Sequence, residues 1–312
     1  MKYAIISDIH GNIHAFNAVL ADAKAQNVDM YLLIGDYASS FPFGNDVVNT
    51  LRSIKSATVV RGNGEDYFLD LQKRNPKELT HEQFKPLYWA YHSLSPENLE
   101  YLASLPAAAT ILDNNIEIHL AHAMNLFYRT PSIKLFYSNE FRKIMAKCPL
   151  THEEYLVRAR DALITIPGVL EEIDAMSKGV YLFGHNHLQF HMEYEGRIFI
   201  NPGSCGESLN WKPGAAYSIL TVSKSGWAVD ERHVAYDLNL AAEGLRTSGY
   251  AEYAPIWSSI MERQLFTAQD HFFTFVLHII ETGRKMGCTT SPVSNDVWDA
   301  AVKTWSIDKI YE

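Results

Sequence analysis

Short apolar runs alternate with stretches that carry apolar residues at helical spacing along the first part of the chain. The runs cover residues 2–7, 30–34 and 57–60 and have the length of buried strands. The polar residues Asp8, Asp36 and Asn63 follow them at intervals of 28 and 27 residues, the length of a βαβ unit. Because the carboxyl ends of parallel strands lie at one edge of a sheet, these three side chains are expected to converge.

Later segments predict a second sheet. Residues 109–112 and 116–121 flank the turn-forming residues 113–115 and therefore predict a hairpin. A further apolar run covers residues 180–183. Four segments then alternate apolar and polar residues and are expected to be antiparallel strands: 189–194, 197–200, 216–222 and 227–233.

Helical periodicity dominates the rest of this α/β chain. We expect one domain over residues 1–248, with helical insertions at about 66–105 and 136–176, and a helical C-terminal extension over residues 249–312. Trp298 and Trp305 share a face of the last helix, which favours a core or a subunit interface. A homo-oligomer formed through the extension is therefore an expectation.

The composition and charge restrict the classes of partner. Apolar residues make up 47% of the chain and charged residues 20%, which is typical of a folded globular protein. The formal net charge is −9, and no run of basic residues is longer than two. This balance argues against nucleic acid or an anionic membrane as a partner.

The sequence also predicts a cytoplasmic protein. Cys148, Cys205 and Cys288 are widely spaced, which argues against a disulfide framework and against a thiolate zinc site. The N-terminus has no apolar segment of signal-peptide length, and the apolar stretch at residues 272–280 is half of what a bilayer crossing needs. We expect a reducing compartment and no membrane partner.

One motif is rare for this composition. The chain has 13 histidines, and residues 184–187 form a G-H-x-H motif at the end of a predicted strand. About 0.03 such motifs are expected by chance, whereas a D-x-H triplet such as Asp8 to His10 is uninformative by itself. The triplet gains weight from its position at a strand end.

The polar residues at the strand ends have the chemistry of a site for two metal ions. Seven side chains are the predicted ligands: Asp8, His10, Asp36, Asn63, His122, His185 and His187. Residues two apart on an extended strand end can face one point. Asp36 is the central carboxylate, whose two oxygens can bridge two cations. Two dications, two aspartates and a bridging hydroxide leave about one positive charge, which suits a phosphate oxyanion.

Several of these residues also have a purely structural interpretation. Asp8 and Asp36 precede helices and could be N-caps. Asn63, between two glycines, could be a left-handed turn residue, and His122 could be a hydrogen-bonded core histidine. Their joint placement with the G-H-x-H motif favours the metal site. Three further residues are candidates for its substrate edge: His14, Glu65 and His191.

Ordered blocks of the chain resemble the calcineurin-like metallophosphoesterase superfamily, especially its small bacterial and archaeal phosphodiesterases. The blocks are S-D-I-H-G-N at 7–12, G-D at 35–36, G-N at 62–63, His122, G-H-N-H at 184–187 and N-P-G-S at 201–204. Residues 94–99 and 216–220 are similar to further segments of that branch. The resemblance covers residues 1 to about 248.

The resemblance implies a four-layer αββα sandwich of two mixed sheets that carries two divalent ions, Mn, Fe, Zn or Ni. The implied ligands of one ion are Asp8, His10, Asp36 and His187, and those of the other are Asp36, Asn63, His122 and His185. It further implies that a metal-bridging hydroxide attacks phosphorus. Asp36, Asn63 and His122 would take part in that catalysis.

Two positions depart from the family pattern. Many relatives have a histidine that protonates the leaving group where this chain has Gly64. Protonation is typically worth about 10²- to 10⁴-fold in rate, so we expect simple sugar phosphates to be poor substrates and activated phosphodiesters to be favoured. Ala123 replaces the glycine that usually follows the third histidine, and it leaves the His122 ligand intact.

Three functions follow as hypotheses. The first is a metal-dependent phosphoesterase, above all a phosphodiesterase, that acts on a small phosphate ester. The second is a noncatalytic metal-binding scaffold for protein interactions, which Gly64 and the helical extension favour. The third is a nuclease, which the net charge opposes and which would need a local basic channel. Five residues could form that channel: Arg52, Arg61, Arg129, Lys134 and Arg142.

Overall fold

The computed structural model of the protein describes residues 1–75, 79–130, 149–224, 226–288, 290 and 292–306. The strands in these residues are β1 Lys2–Ile6, β2 Met30–Ile34, β3 Ala57–Val60, β4 Ala108–Asp113, β5 Ile116–Ala121, β6 Gly179–Leu182, β7 Gln189–Tyr194, β8 Arg197–Pro202, β9 Ala215–Ser223 and β10 Gly226–Val234. They form two five-stranded mixed sheets. Sheet A has the order β10-β9-β1-β2-β3, and sheet B has the order β4-β5-β6-β8-β7.

The predicted strands are present, but two of them join a different sheet from the one expected. β1, β2 and β3 are parallel neighbours, and β4 and β5 form the expected antiparallel hairpin. β9 and β10 belong to sheet A, where β9 lies antiparallel to β1. In sheet B, β8 is parallel to β6 and antiparallel to β7. Alternation in the sequence predicts which face of a strand is buried, but it does not predict the neighbouring strand.

Helices cover the outer faces of the sheets and form the C-terminal extension. They are α1 Ile13–Ala25, α2 Gly44–Ser53, α3 Asn63–Gln72, α4 Lys85–Ser93, α5 Pro96–Ser104, α6 His152–Thr165, α7 Val169–Ala175, α8 Leu238–Thr247, α9 Tyr250–Tyr253, α10 Pro255–Thr267, α11 His271–Lys285 and α12 Asn295–Thr304. Short 3₁₀ turns lie at Glu82–Phe84 and Met124–Phe127. Of the predicted second insertion, residues 136–148 lie outside the described residues.

The layers are held together by three apolar cores. Between the sheets, side chains such as Ile5 and Leu220 of sheet A pack with Leu182 and Ile200 of sheet B. The outer face of sheet A packs on α1 and α2, and the outer face of sheet B packs on α6 and α7. The order helix, sheet, sheet, helix confirms the predicted four-layer αββα sandwich.

A fourth apolar core is built mainly from the C-terminal helices. Trp257, Phe275 and Trp298 contact one another there, and Trp305 packs on Phe275. Phe41 of the sandwich is buried in the same cluster. The tryptophan stripe therefore belongs to a core, in agreement with one of its two sequence interpretations. Among the described residues, no helix is both long enough and apolar enough to cross a membrane.

Replacement of Leu220 by alanine should destabilise the protein strongly, because its side chain is fully buried between the two sheets. We expect the free energy of unfolding in urea to fall by about 2–5 kcal/mol. The matched control is Leu112→Ala, since Leu112 also lies on a strand but is 69% exposed. Its effect should stay within about 0.5 kcal/mol. Equal losses in both variants would contradict the assignment of the core between the sheets.

Candidate metal centre

The backbone turns sharply at most of the predicted ligands. Five of them have a positive φ, the left-handed region that residues other than glycine rarely adopt: Asp8 at 53°, His10 at 53°, Asp36 at 57°, His185 at 72° and His187 at 62°. Each such residue costs on the order of 1–3 kcal/mol, and the surrounding structure must hold it in place. The concentration of this strain at one place points to a functional site.

Backbone hydrogen bonds hold the loops that follow the strands side by side. Asp8 N–H donates to the Gly35 carbonyl at 3.1 Å, and His10 N–H donates to the Asp36 carbonyl at 3.0 Å. The loop after β8 joins them through Gly206 N–H, which donates to the Asp8 carbonyl at 3.0 Å. These bonds bring strand ends that are far apart in the sequence to one edge of the sandwich.

The predicted ligands form two groups. The ligand atoms of Asp8, His10 and His187 lie within 4.8 Å of one another, and so do those of Asp36, His122 and His185. Sheet A supplies the aspartates and His10, and sheet B supplies the other histidines. The six residues of the two groups are buried, except that His185 is partly exposed.

Hydrogen bonds fix the orientation of two histidine rings. His122 Nδ1 lies 2.7 Å from the Ile34 carbonyl, and His187 Nδ1 lies 3.1 Å from the Glu207 carbonyl. Because a carbonyl only accepts, Nδ1 must carry the proton in both rings. In the neutral ring, Nε2 then presents its lone pair to the site, as a metal ligand must.

Buried polar atoms without protein partners show that the residues fit divalent cations. Among the described residues, His122 Nε2 and Asn63 Oδ1 are buried and have no hydrogen-bond partner. The Nε2 atoms of His10 and His187 face each other at 3.1 Å. Two lone pairs at that distance repel, so a proton or a cation has to separate them. Imidazole, carboxylate and amide oxygen ligands suit several first-row divalent metals.

The electrostatics of the site favour positive charge. Burial opposes ionisation of Asp36, but the imidazoles of His122 and His10 hold its pKa below the usual range. Burial lowers the pKa of His122, but the carboxylates of Asp36 and Asp8 outweigh this effect and raise it to about 10. Against the same burial effect, carboxylates led by that of Glu207 raise the pKa of His10 to about 9. Divalent cations can supply this positive charge in place of protons.

The two oxygens of Asp36 have different surroundings. Oδ1 accepts a hydrogen bond from Gly64 N–H at 2.7 Å. Oδ2 lies 3.3 Å from His122 Nε2 and 3.9 Å from His10 Nε2, so it faces both groups of ligands. Asp36 is therefore the carboxylate that could serve as a ligand in both groups.

Glu65 lies in a different place from the substrate edge at which we expected it. The residue is 1% exposed, and its carboxylate accepts three backbone hydrogen bonds. The donors are Asp36 N–H at 2.9 Å, Tyr37 N–H at 2.9 Å and Gly62 N–H at 2.8 Å. It connects the loop that carries Asp36 to the start of α3. It organises the backbone behind the ligands.

The two predicted edge histidines contact other groups. His191 Nδ1 lies 2.6 Å from a carboxylate oxygen of Glu231. The ring of His14 packs edge-on against Phe43, and its Nε2 is buried without a partner among the described residues. Neither contact involves a predicted metal ligand. A role for either histidine at the substrate edge stays a prediction.

Two structural interpretations of the ligands are wrong. Asn12, and not Asp8, caps α1, because its Oδ1 accepts from Ala15 N–H at 3.1 Å. The residue before α2 is Phe43, so Asp36 does not cap that helix.

Asn63 begins α3 and is not in a left-handed turn. His122 is indeed a hydrogen-bonded buried histidine, but within the described part of the chain it bonds only through Nδ1.

The arginines proposed for a basic channel are engaged elsewhere. Arg52 donates to Asn98 at 2.7 Å, and Arg61 pairs with Asp66 at 2.7 Å. The backbone N–H of Arg129 donates to Glu172, and its guanidinium lies 3.9 Å from the same carboxylate. Lys134 and Arg142 lie outside the described residues. These pairings do not favour a nuclease.

Sequence reasoning missed two residues that contact the ligand rings. Ser39 Oγ lies 3.0 Å from His10 Nδ1. Glu207 lies close to both His10 and His187. Neither belongs to a motif with a chemical signal of its own, although Glu207 follows the N-P-G-S block at residues 201–204.

The comparisons with known proteins agree with this geometry. The family model described as the calcineurin-like phosphoesterase superfamily domain matches residues 1–225. The uncharacterized protein MJ0912 of Methanocaldococcus jannaschii is 27% identical over 259 residues, which are 77% of this chain and 90% of that protein.

Solved structures share the fold. A metallophosphoesterase from Sphaerobacter thermophilus superposes with a TM-score of 0.61 at 22% identity, over 86% of this chain and 99% of that one. The hypothetical protein PH1004 from Pyrococcus horikoshii OT3 gives a TM-score of 0.58 at 15% identity, over 83% of this chain and 97% of that one.

Replacement of Gly184 by alanine should damage the candidate metal centre. A Cβ at this position would lie 2.0 Å from Ser7 Oγ and 2.4 Å from Asp8 Oδ2, so the Asp8 carboxylate would have to move. We expect metal affinity, measured by titration calorimetry, to fall by about tenfold or more. The control is Gly283→Ala in α11, where the nearest atoms to the new Cβ lie at 3.4 Å. Unchanged metal binding by Gly184→Ala would contradict the placement of Asp8 in the site.

Proposed function

The chain belongs to the calcineurin-like phosphoesterase superfamily, and from this premise we propose that it is a hydrolase of small phosphate esters, above all phosphodiesters, that uses two divalent metal ions. The observation that carries the proposal is the pair of ligand groups, one around Asp8 and one around Asp36. They meet at Asp36 Oδ2, which faces histidines of both groups. Such a pair is the arrangement that two-metal hydrolysis requires.

The proposed ligands are those that the family resemblance implies. One ion would be held by Asp8, His10, Asp36 and His187, and the other by Asp36, Asn63, His122 and His185. When bound, the ions supply Lewis acidity at the phosphoryl oxygens and lower the pKa of water. Manganese, iron, zinc and nickel all suit this ligand set.

The protein's own contribution is to hold the ligands in position before the ester arrives. Nδ1 of His122 is fixed by the Ile34 carbonyl, which aims Nε2 into the site. Gly64 N–H and the Glu65 carboxylate fix the Asp36 side chain and backbone, respectively. Ligands that are positioned in advance need little rearrangement when the charge on phosphorus oxygens grows.

Gly64 supports the preference for diesters with good leaving groups. The position holds no side chain that could give a proton to a leaving alkoxide, and its N–H is used by Asp36. A Cβ there would lie 3.1 Å from Asp36 Oδ1, so a larger residue would crowd that ligand. Residue 64 therefore suits a role in holding the Asp36 carboxylate, and it does not suit a role as a general acid.

We also propose that the protein works in a reducing compartment. Cys205 and Cys288 are both unpaired in the described part of the chain, and Cys205 is buried. Burial raises the pKa of the Cys205 thiol, which keeps it protonated and unreactive. Cys148 lies outside the described residues.

Purified protein that is stripped by a chelator and refilled with Mn²⁺ should hydrolyse a bis-aryl phosphate faster than a mono-aryl phosphate. The reason is the missing acid at Gly64. Without a proton donor the aryl group must leave as an anion, which is harder from the more highly charged monoester than from the diester. The control is the stripped protein without metal, which should be inactive on both esters. A faster reaction with the monoester would contradict the proposed diester preference.

Asp36→Asn should abolish most of the activity, because the amide loses the charge that faces both ligand groups. We expect turnover of the aryl diester to fall by about 10²-fold or more. The control is Asp299→Asn, which changes an exposed aspartate of α12. Full turnover by Asp36→Asn would defeat the proposal. If wild-type protein binds two ions but hydrolyses neither ester, the scaffold hypothesis takes its place.

A further inference from the structure

We infer that Glu207 and Gln264 are positioning residues for the candidate metal centre, and that the C-terminal extension thereby completes the part of the site formed by His10 and His187. The inference rests on the proposed function. Glu207 lies within residues 1–225, which the family model matches, whereas Gln264 lies beyond them. The inference goes beyond the family's ligand set because Gln264 lies on α10, in the extension.

Glu207 lies directly behind the two histidine rings. Its Oε1 is 3.8 Å from His10 Nδ1, and its Oε2 is 3.9 Å from His187 Nδ1. Its backbone carbonyl accepts from His187 Nδ1 at 3.1 Å. Histidines that bind metals use the ring nitrogen away from the metal to donate to a carboxylate or carbonyl, and such partners orient the ring. Glu207 supplies the carbonyl acceptor for His187, and its carboxylate lies within ion-pair distance of both rings, whereas Ser39 Oγ is the hydrogen-bond neighbour of His10 Nδ1.

Gln264 connects this carboxylate to the extension. The side chain is buried, and its Nε2 donates to Glu207 Oε2 at 3.4 Å. Its Oε1 accepts from the backbone N–H of Phe272, in the first turn of α11, at 3.1 Å. Because an N–H needs an oxygen acceptor, this second bond decides which end of the amide points to Glu207. The packing of α10 and α11 therefore directs the N–H₂ group of Gln264 towards the Glu207 carboxylate.

The contact is enclosed by both parts of the chain. A cavity of about 10 Å³ beside it is lined by Glu207 and Tyr236 on one side and by Met261, Gln264 and Leu265 on the other. This volume is close to the minimum for one water molecule, so the space does not suit a substrate. A role in holding the histidine partners fits the burial better than a role in binding a ligand.

The charge of Glu207 makes the link consequential. A buried carboxylate is costly unless it is hydrogen-bonded and faces positive charge. Among the described residues, Oε1 of Glu207 has no hydrogen-bond partner, and the imidazole rings of His10 and His187 lie beside the carboxylate, 3.8 Å from Oε1 and 3.9 Å from Oε2. A cation held by those rings would strengthen this interaction, and loss of Gln264 would leave the carboxylate less fixed.

The test measures metal binding by the full-length chain, stripped by a chelator and titrated with Mn²⁺ in a calorimeter. Gln264→Met keeps the side-chain length and removes the amide, and Glu207→Gln keeps the shape and removes the charge. We expect both to weaken one of the two ions by about 10- to 100-fold and to leave the other nearly unchanged. The matched control is Ser258→Ala, since Ser258 is a buried polar residue of the same helix that donates to Leu245.

A second background identifies the affected ion. In His185→Ala, which keeps only the group formed by Asp8, His10 and His187, the loss caused by Gln264→Met should persist. In His10→Ala it should disappear. Thermal unfolding of the metal-free proteins shows whether the variants are folded, and if Gln264→Met is not, Glu207→Gln decides.

Three outcomes would overturn the inference. Wild-type affinity for both ions in folded Gln264→Met and Glu207→Gln would show that the extension does not support the site. Equal weakening of both ions would indicate a general loosening of the fold. If the wild-type protein binds no ion at all, both this inference and the proposed function are wrong, whereas two ions with wild-type affinity in the variants would leave the proposed function standing.

Discussion

Asp8 and Asp36 are carboxylates buried at the junction of the two sheets, and their negative charge has to be balanced by groups from both. Sheet A carries the aspartates at its strand ends, and sheet B carries His122, His185 and His187 at the ends of β5 and β6. The stacking of the sheets is therefore required for more than the apolar core between them. It brings the compensating groups within about 4 Å of charges that could not otherwise be buried.

The need to bring these side chains together explains why the backbone is strained at the ends of β1 and β2. The left-handed conformations of Asp8 and Asp36 turn the chain so that successive residues face one point. Glu65 and the loop after β8 support these turns with hydrogen bonds to the backbone. The free energy gained by folding the rest of the sandwich offsets the cost of these left-handed conformations. The strained turns in return place the aspartates where they can bind cations.

Much of this arrangement could be predicted from the sequence, and the failures have physical reasons. The strands that precede Asp8, Asp36 and Asn63 were predictable because apolar runs and their polar ends are local signals. The placement of β9 and β10 beside β1 was not, because strand pairing over long separations depends on the whole core. Glu65 was identified but misplaced, since the sequence does not show that three backbone N–H groups converge on it. Glu207 and Gln264 were missed because each has meaning only next to a residue far along the chain.

The distribution of the ligands along the sequence has a consequence for synthesis of the protein. Neither ligand group is complete until β6 and the histidines after it have left the ribosome, because His10 and His187, two members of one group, are 177 residues apart. At bacterial and eukaryotic elongation rates of about 5–20 residues per second, this interval lasts roughly 9 to 35 s. A nascent chain therefore presents isolated aspartates and histidines to cellular metals before it presents a chelating cage. Both ligand groups are complete only after residue 187 of 312, which limits premature capture of a wrong ion during the first part of translation.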